Sequence, residues 1–342
     1  MTLDIRLPAE WEEQDGIMLA WPHEDTDWAY MLDEAEAVFI EIANTISKTE
    51  TVVITSPCIK EVNESLERSG ISLEKILFHE LPTNDTWTRD FGPITVTVNN
   101  TPVLLDFAFN GWGLKYASDK DNLATRRLKQ MGAFLPRVNT VGLVLEGGSI
   151  ESDGKGTILT TSQCLLSPNR NPQLDRQEIE SALSSLLGAK KVLWLENGHL
   201  AGDDTDAHID TLARFCPDNT ITYQSCDDPG DTHFEPLMKM AEELATFTTS
   251  DGAHFRLLPL PWPKARFDAD GNRLPATYAN FLVTNSTVLV PVYSDPSDDA
   301  ALSVIAEAFP GREISGINCL PLIMQHGSLH CVTMQLPRGV LH

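Results

Sequence analysis

The strongest constraint on the fold is a pattern that recurs five times: an apolar hairpin follows a conspicuous polar residue. After Asp90 come FGPITVTV, the turn Asn99-Asn100-Thr101-Pro102 and VLLDF. After Glu146 come Gly147-Gly148, SIE, the turn Ser152 to Gly156 and TILTT. After His208 and Asp210 come TLARF, the turn Cys216 to Asn219 and TITYQ. After Asn280 come FLVT, the turn Asn285-Ser286-Thr287 and VLVPV. After Cys331 comes VTMQL. Short β-rich runs separated by Asn, Asp, Gly and Pro predict hairpins.

Apolar residues at helical spacing over 119–131, 175–187, 234–245 and 297–308 follow several of these hairpins. Further strands, such as 192–195 and 255–259, come next. The unit is hairpin, helix, strand and loop, at the scale of large repeat modules. The fifth hairpin lacks a second strand downstream, and GIMLAW at 16–21 can supply it from the other end, closing a ring. The expectation is one α/β domain over residues 1–342, with five β/α modules about a pseudo-fivefold axis and the polar residues meeting at its centre. A two-domain α/β protein is the competing reading.

Net charge decides which partners fit. A formal charge of −24 and a pI of about 4.6 argue against nucleic acid, whose binding draws most of its affinity from a basic face. They argue equally against anionic membrane surfaces. A negative field attracts small cations, although acidity also serves plain solubility. No stretch approaches the ~20 apolar residues of a membrane helix. The acidic start, with Asp4, Glu10, Glu12, Glu13 and Asp15, is not a secretory signal. Six cysteines without C-x-x-C spacing suggest reduced thiols in a cytoplasmic protein rather than a zinc or disulfide framework.

Three segments can carry chemistry. Cys331 lies in HGSLHCVT, where Gly327 allows close backbone approach; the alternative is an inert buried thiol. GDDTDAHID at 202–210 sets His208 and Asp210 two positions apart, on one face of a strand, as an imidazole beside a carboxylate. The alternative is a solvated acidic loop, and neither calcium nor zinc spacing is present. NDTWTRDFGP at 84–93 offers Trp87, an Arg89–Asp90 pair and a Gly-Pro turn. Here Asp90 is the expected inward carboxylate, and a purely structural ion pair is the alternative.

WPHEDTDW (21–28), WTRDFGPI (87–94), DFAFNGWGLKY (106–116), EGGSIE (146–151), TDAHIDTLARF (205–215) and SLHCVTMQLP (328–337) occur in that order along the chain. In these motifs the sequence resembles the agmatine deiminase family, also described as the bacterial peptidyl-arginine deiminase type, of the guanidino-group-modifying superfamily. The resemblance implies a pentein-type, five-bladed β/α propeller. It implies Cys331 as nucleophile, His208 as acid/base, and Asp90 and Asp210 as carboxylates gripping a guanidinium. It places Trp87, Trp112, Glu146 and Asn280 around the substrate. It also implies hydrolysis of agmatine to N-carbamoylputrescine and ammonia on a polyamine route, with no cofactor or metal, and a homodimer. Two positions depart from the pattern. The loop before the cysteine is less glycine-rich, with Gln325 and His326, and Ala207 stands where glycine is usual. Deimination of arginine or peptidyl arginine, amidino transfer, and non-catalytic binding of a guanidine or polyamine are the rival readings.

The chemistry explains the residue types. A guanidinium is a planar cation with a poorly electrophilic carbon, so paired carboxylates can hold its N–H edges while a thiolate adds to the carbon. The same carboxylates raise the thiol pKa, so Cys331 should titrate at or above its ordinary value in the free protein.

Overall fold

The computed structural model describes residues 3–342. Its β-structure forms five sheets of one recurring design, an antiparallel pair extended by a parallel strand. Ile94–Val98 pairs antiparallel with Thr101–Ala108, which runs parallel to Val138–Val144, and Ile5–Arg6 lies at the edge. Ile150–Ser152, Thr157–Thr161 and Lys191–Leu195 repeat the arrangement. Ala213–Cys216, Thr220–Gln224 and Arg256–Leu260 repeat it again, as do Leu282–Val283, Thr287–Val292 and Glu313–Asn318.

The fifth sheet joins distant parts of the chain. Met334–Pro337 pairs antiparallel with Gln14–Ala20, with Met334 opposite Met18. Thr51–Ser56 and Ile76–Glu80 then extend this sheet in parallel. Residues 16–21 thus supply the strand that the fifth hairpin lacked. A small ribbon, Arg266–Phe267 with Arg273–Leu274, adds a feature that the repeat pattern does not contain.

Parallel neighbours need a crossover, and helices supply it. Arg176–Leu187 begins with a capping box. The Asp175 side chain accepts from Glu178 N, and Glu178 accepts from Asp175 N, both at 2.9 Å. The helix ends at Gly188, whose φ of 73° suits a residue without Cβ. Leu32–Ser47 was not among the helices singled out above. It buries Ala35, Val38, Phe39, Ile42, Ala43 and Ile46 along one stripe. Three buried apolar clusters result, the largest of which includes Ile17–Ala20, Val52–Ile54, that helix stripe and Cys331. Among the described residues, no helix is long and apolar enough to cross a membrane.

Each polar residue that precedes a hairpin sits on a short turn just before the first strand. Asp90 lies in the helical turn Thr88–Phe91. Glu146 precedes the 3-10 turn Gly147–Ser149, and Asp210 lies in another, Ile209–Thr211. The strand pairing therefore delivers these side chains from the same position of successive sheets.

Candidate active site

Cys331 lies at the wall of a cavity of about 240 Å³. Trp87, Asp90 and Trp112 line it too, together with Asp25, Asp27, Asp85, Asp121, Asp203 and Asp204. Lys120 is the one lysine or arginine on the lining among the described residues. Lys115, close by in sequence, is already committed: its Nζ donates to Asp204 O at 2.6 Å and Asp206 Oδ1 at 2.8 Å.

The Cys331 Sγ is buried, 3.4 Å from Asn280 Oδ1 and 4.0 Å from Asp210 Oδ2. Burial first, then Asp210 and Asp90, push the thiol well above its ordinary pKa. That agrees with the expectation from the carboxylates. Asn280 serves the backbone here. Its Oδ1 accepts from His330 N at 2.9 Å and Cys331 N at 3.3 Å, which fixes the turn that carries the sulfur. Its amide is therefore behind the Cys331 sulfur rather than on the cavity lining.

Asp90 is held from two sides. Trp112 Nε1 donates to Oδ2 at 2.9 Å, and Gly148 N donates to Oδ1 at 3.0 Å. Burial raises its pKa to about 6, helped by the negative charge of Asp210 and opposed by His208. To present the indole, residues 111–114 run through four successive positive φ values, from Gly111 at 66° to Leu114 at 68°. A non-glycine residue such as Trp112 pays ~1–2 kcal/mol for that conformation. The indole–Asp90 hydrogen bond, made out of water, offsets part of it.

His208 and Asp210 do not lie on a strand, as the alternation suggested. His208 caps, and Asp210 belongs to, a 3-10 turn. The side chains nevertheless converge. His208 Nδ1 is 3.6 Å from Asp90 Oδ1. The point of convergence is Gly148: an ideal Cβ there would meet His208 Nδ1 at 2.7 Å, Asp90 Oδ1 at 2.8 Å and Asp210 Oδ2 at 3.1 Å. Burial works against charge on His208, yet Asp90, with Cys164 and Glu146 behind it, raises its pKa to about 10. Both of its ring nitrogens and Asp210 Oδ1 are buried with no hydrogen-bond partner among the described residues. Burial alone would raise Asp210, but a hydrogen bond from His330 and the charges of His330, His208 and Arg214 hold it below its ordinary value.

Glu146 stands one layer back. Both of its oxygens accept from Arg170 Nε at 2.9 Å, and Arg170 also reaches Asp206 Oδ2 at 2.6 Å and Thr205 O at 2.8 Å. Its carboxylate is thus spent on the loop that carries His208. Two sets of donor atoms lie close enough to converge on an ion, Glu146–Cys164–His208 and Glu10–Glu151–His330. In both, an arginine already neutralises the carboxylates: Arg170 in the first, Arg214 in the second.

Two residues that depart from the glycine-rich pattern now have a conformational meaning. Ala207 and His326 both adopt a φ of 65°, the left-handed region that glycine enters without penalty. Asp203 Oδ2 accepts from Ala207 N at 2.7 Å, and His326 Nδ1 lies 2.8 Å from Gly202 O. Gly327 cannot be replaced in the same way, because a Cβ there would fall 2.1 Å from the Trp87 ring. His330, Glu10 and Arg214, which the sequence reading passed over, prove to form a buried ionic cluster directly behind the site.

With this geometry in view, the family assignment is decided by a match to the model of the Porphyromonas-type peptidyl-arginine deiminases over residues 6–337. The chain belongs to that family. A solved structure from Porphyromonas gingivalis, provisionally named an arginine deiminase, is 48% identical with a TM-score of 0.94, covering 99% of this chain and 100% of its own. A cysteine-to-serine variant of the C. jejuni agmatine deiminase, solved with substrate bound, is 38% identical with a TM-score of 0.92, covering 99% and 98%. A Legionella pneumophila (strain Paris) relative, provisionally named an agmatine deiminase, is 36% identical over 97% of this chain and 95% of its own. A dimethylarginine dimethylaminohydrolase and an amidinotransferase, each 12% identical with TM-scores of 0.52 and 0.55, share the fold.

Proposed function

We propose that this family member is a hydrolase that deiminates agmatine to N-carbamoylputrescine and ammonia through a covalent adduct on Cys331. The carrying observation is the convergence of His208, Asp90 and Asp210 on one point, with Asp210 Oδ2 4.0 Å from the Cys331 sulfur and with Asp90 and Cys331 on the lining of an acidic cavity.

Asp90 and Asp210 bind the N–H edges of the guanidinium, with Asp210 Oδ1 open to a donor. Trp87 and Trp112 flank the aliphatic chain. As the cation enters, it offsets the two carboxylates and Cys331 releases its proton to water. The thiolate adds to the guanidinium carbon. His208, an imidazolium in the free protein, protonates the departing nitrogen, which leaves as ammonia. Neutral His208 then takes a proton from water, whose oxygen attacks the carbon of the thiouronium adduct. Collapse expels the urea-type product and returns the thiolate. Glu146 and Asn280 act by position, through Arg170 and through the Cys331 turn.

Charge favours an amine over a carboxylate at the substrate's far end. Asp25, Asp27, Asp203 and Asp204 line the cavity, and Lys115 is occupied by Asp204 and Asp206. The relatives named agmatine deiminases point the same way. An arginine substrate would have to set its carboxylate against Lys120. We take the five sheets to be five blades about a pseudo-fivefold axis, supported by their common design and by the pairing of 334–337 with 14–20. We further take the molecule to act as a single catalytic domain over residues 1–342, as a cytoplasmic homodimer.

The test offers agmatine, arginine and an arginine peptide in parallel, without any added amine acceptor. Ammonia release should be fastest from agmatine, and Cys331→Ala should abolish turnover while retaining binding. Preference for the peptide would overturn the substrate assignment, and a requirement for an acceptor amine would make the protein a transferase.

A further inference from the structure

Away from the candidate site, Asp231 and the buried His233 stand just before the helix Phe234–Thr246. Asp231 gathers several parts of the chain. Its Oδ1 accepts from His233 N at 3.0 Å and lies 2.6 Å from His233 Nδ1. Its Oδ2 accepts from Trp262 Nε1 at 3.1 Å and from Arg273 Nη2 at 3.0 Å, which anchors the small 266–274 ribbon. The other imidazole nitrogen turns to the loop that precedes His208: Ala201 N donates to His233 Nε2 at 2.8 Å. A backbone N–H offers only a proton, so Nε2 holds a lone pair and Nδ1 holds the hydrogen given to Asp231. The ring is neutral by this geometry. Burial lowers its pKa, against the pull of Asp231.

We propose that His233 is a positioning residue that holds the 201–204 wall of the cavity in place while its ring is neutral and lets it go on protonation. This rests on the deiminase reading above, because that wall faces substrate only if the cavity is the active site. Ala201 leads directly into Asp203 and Asp204, both on the cavity lining. Gly202, between them, has a φ of 87°, and a Cβ there would fall 2.2 Å from Arg273 O. The loop therefore rests on the ribbon at one residue and on the imidazole at the residue before, and Asp231 anchors both supports.

Acid acts on one of these attachments selectively. His326, across the loop, gives its Nδ1 hydrogen to Gly202 O at 2.8 Å, and a proton on its other nitrogen leaves that bond intact. A proton on His233 Nε2 would set one N–H against another, so Ala201 must withdraw. Asp231 favours that proton, while Arg273 and His199, whose ring lies 6.2 Å away, oppose it. Lys264 lines the same small cavity as His233 and adds to the opposition. A loop that closes only over the neutral ring closes less well in acid. Below the ordinary imidazole value of ~6.5, the closing equilibrium falls by up to about tenfold per pH unit. Arg170 still grips Thr205 O and Asp206 next to His208, so the loss falls on substrate binding more than on turnover.

The first test needs neither turnover nor a variant. Nitrogen-15 NMR of wild-type protein with labelled histidines should show His233 at pH 7.5 with Nδ1 protonated and Nε2 bare. Hydrogen exchange at Ala201 N, corrected for the intrinsic rate, should lose about tenfold in protection between pH 7.5 and 5.5. An imidazolium at pH 7.5, or equal protection at both values, would overturn the proposal. In the second test, His233→Ala should raise KM for agmatine at least tenfold, with a smaller change in kcat. His233→Gln has an amide oxygen that can accept from Ala201 N and does not titrate. It should recover part of the loss, and its KM should rise less than that of wild type between pH 7.5 and 5.5. Superimposable KM–pH profiles for wild type and His233→Gln would overturn the proposal. So would an equal loss in both variants at every pH, which marks a merely structural role. If wild-type protein releases no ammonia from agmatine, the substrate reading fails while NMR and exchange still decide whether His233 holds the loop.

Discussion

Replacing Gly148 by alanine is the sharpest test of the site. The glycine is not needed for its backbone, because its φ lies outside the left-handed region. It is needed for space. Non-bonded contacts are comfortable from about 3.5 Å, whereas the added methyl would lie 2.7 Å from His208 Nδ1 and 2.8 Å from Asp90 Oδ1. Both groups must retreat by about 0.8 Å, or the turn must move and take with it the Gly148 N–H that holds Asp90. Misplacement on this scale costs roughly 100-fold in rate, or about 2.7 kcal/mol of transition-state stabilisation. Overpacking adds ~1–3 kcal/mol of lost stability. Ammonia release from agmatine reads the first and thermal unfolding the second. Activity within threefold of wild type would refute the claim that His208, Asp90 and Asp210 meet at a point on which turnover depends.

Three further outcomes follow from the same structure. Alkylation of Cys331 in the free protein should accelerate only above the ordinary thiol range, and Asp210→Asn should move that rise to lower pH; an inflection well below the ordinary value would contradict substrate-assisted ionisation. Arg170→Ala strands Glu146 as an unpaired buried charge and should cost about 3–5 kcal/mol in chemical denaturation, so a loss under 1 kcal/mol would mean the pair is not structural. Burial raises Glu50 and Asp85 to about 7 and Asp121 to about 8. The folded protein then holds protons that the unfolded chain has lost, from roughly pH 4 to 8, so stability falls as pH climbs through that window. His208, raised to about 10, contributes stability that is likewise complete at low pH and lost on the alkaline side. The thermal midpoint should be lower at pH 8.5 than at 5.5, and the opposite order would show that these groups are not proton-binding in the fold.

The hairpins were legible because strand residues, turn residues and polar residue recur in fixed order, and that order is set by the local chain. The strand borrowed from 16–21 was legible because one hairpin lacked its mate. The polar residues could be found by the same repetition, but their tasks could not. Glu146 and Asn280 occupy the same place in the pattern as Asp90, yet they face Arg170 and the Cys331 backbone instead of the cavity. Only the three-dimensional neighbours distinguish them. His330 carried one available signal, adjacency to Cys331. Its partner Glu10 lay in the acidic start of the chain, 320 positions away, and no local pattern joins the two. The Ala207 and His326 departures had no meaning that the sequence alone could supply. The structure locates them at positive φ, a region that glycine enters without penalty.

The pairing of Met334–Pro337 with Gln14–Ala20 bears on how activity arises during folding. It joins segments separated by most of the sequence, so its closure entropy is among the largest in the molecule. The other four sheets can assemble from nearer neighbours while the sulfur-bearing turn is still adrift. A partly folded or nascent chain would thus hold its acidic groups without Cys331 in place beside them, and the site would be complete only with the closing contact.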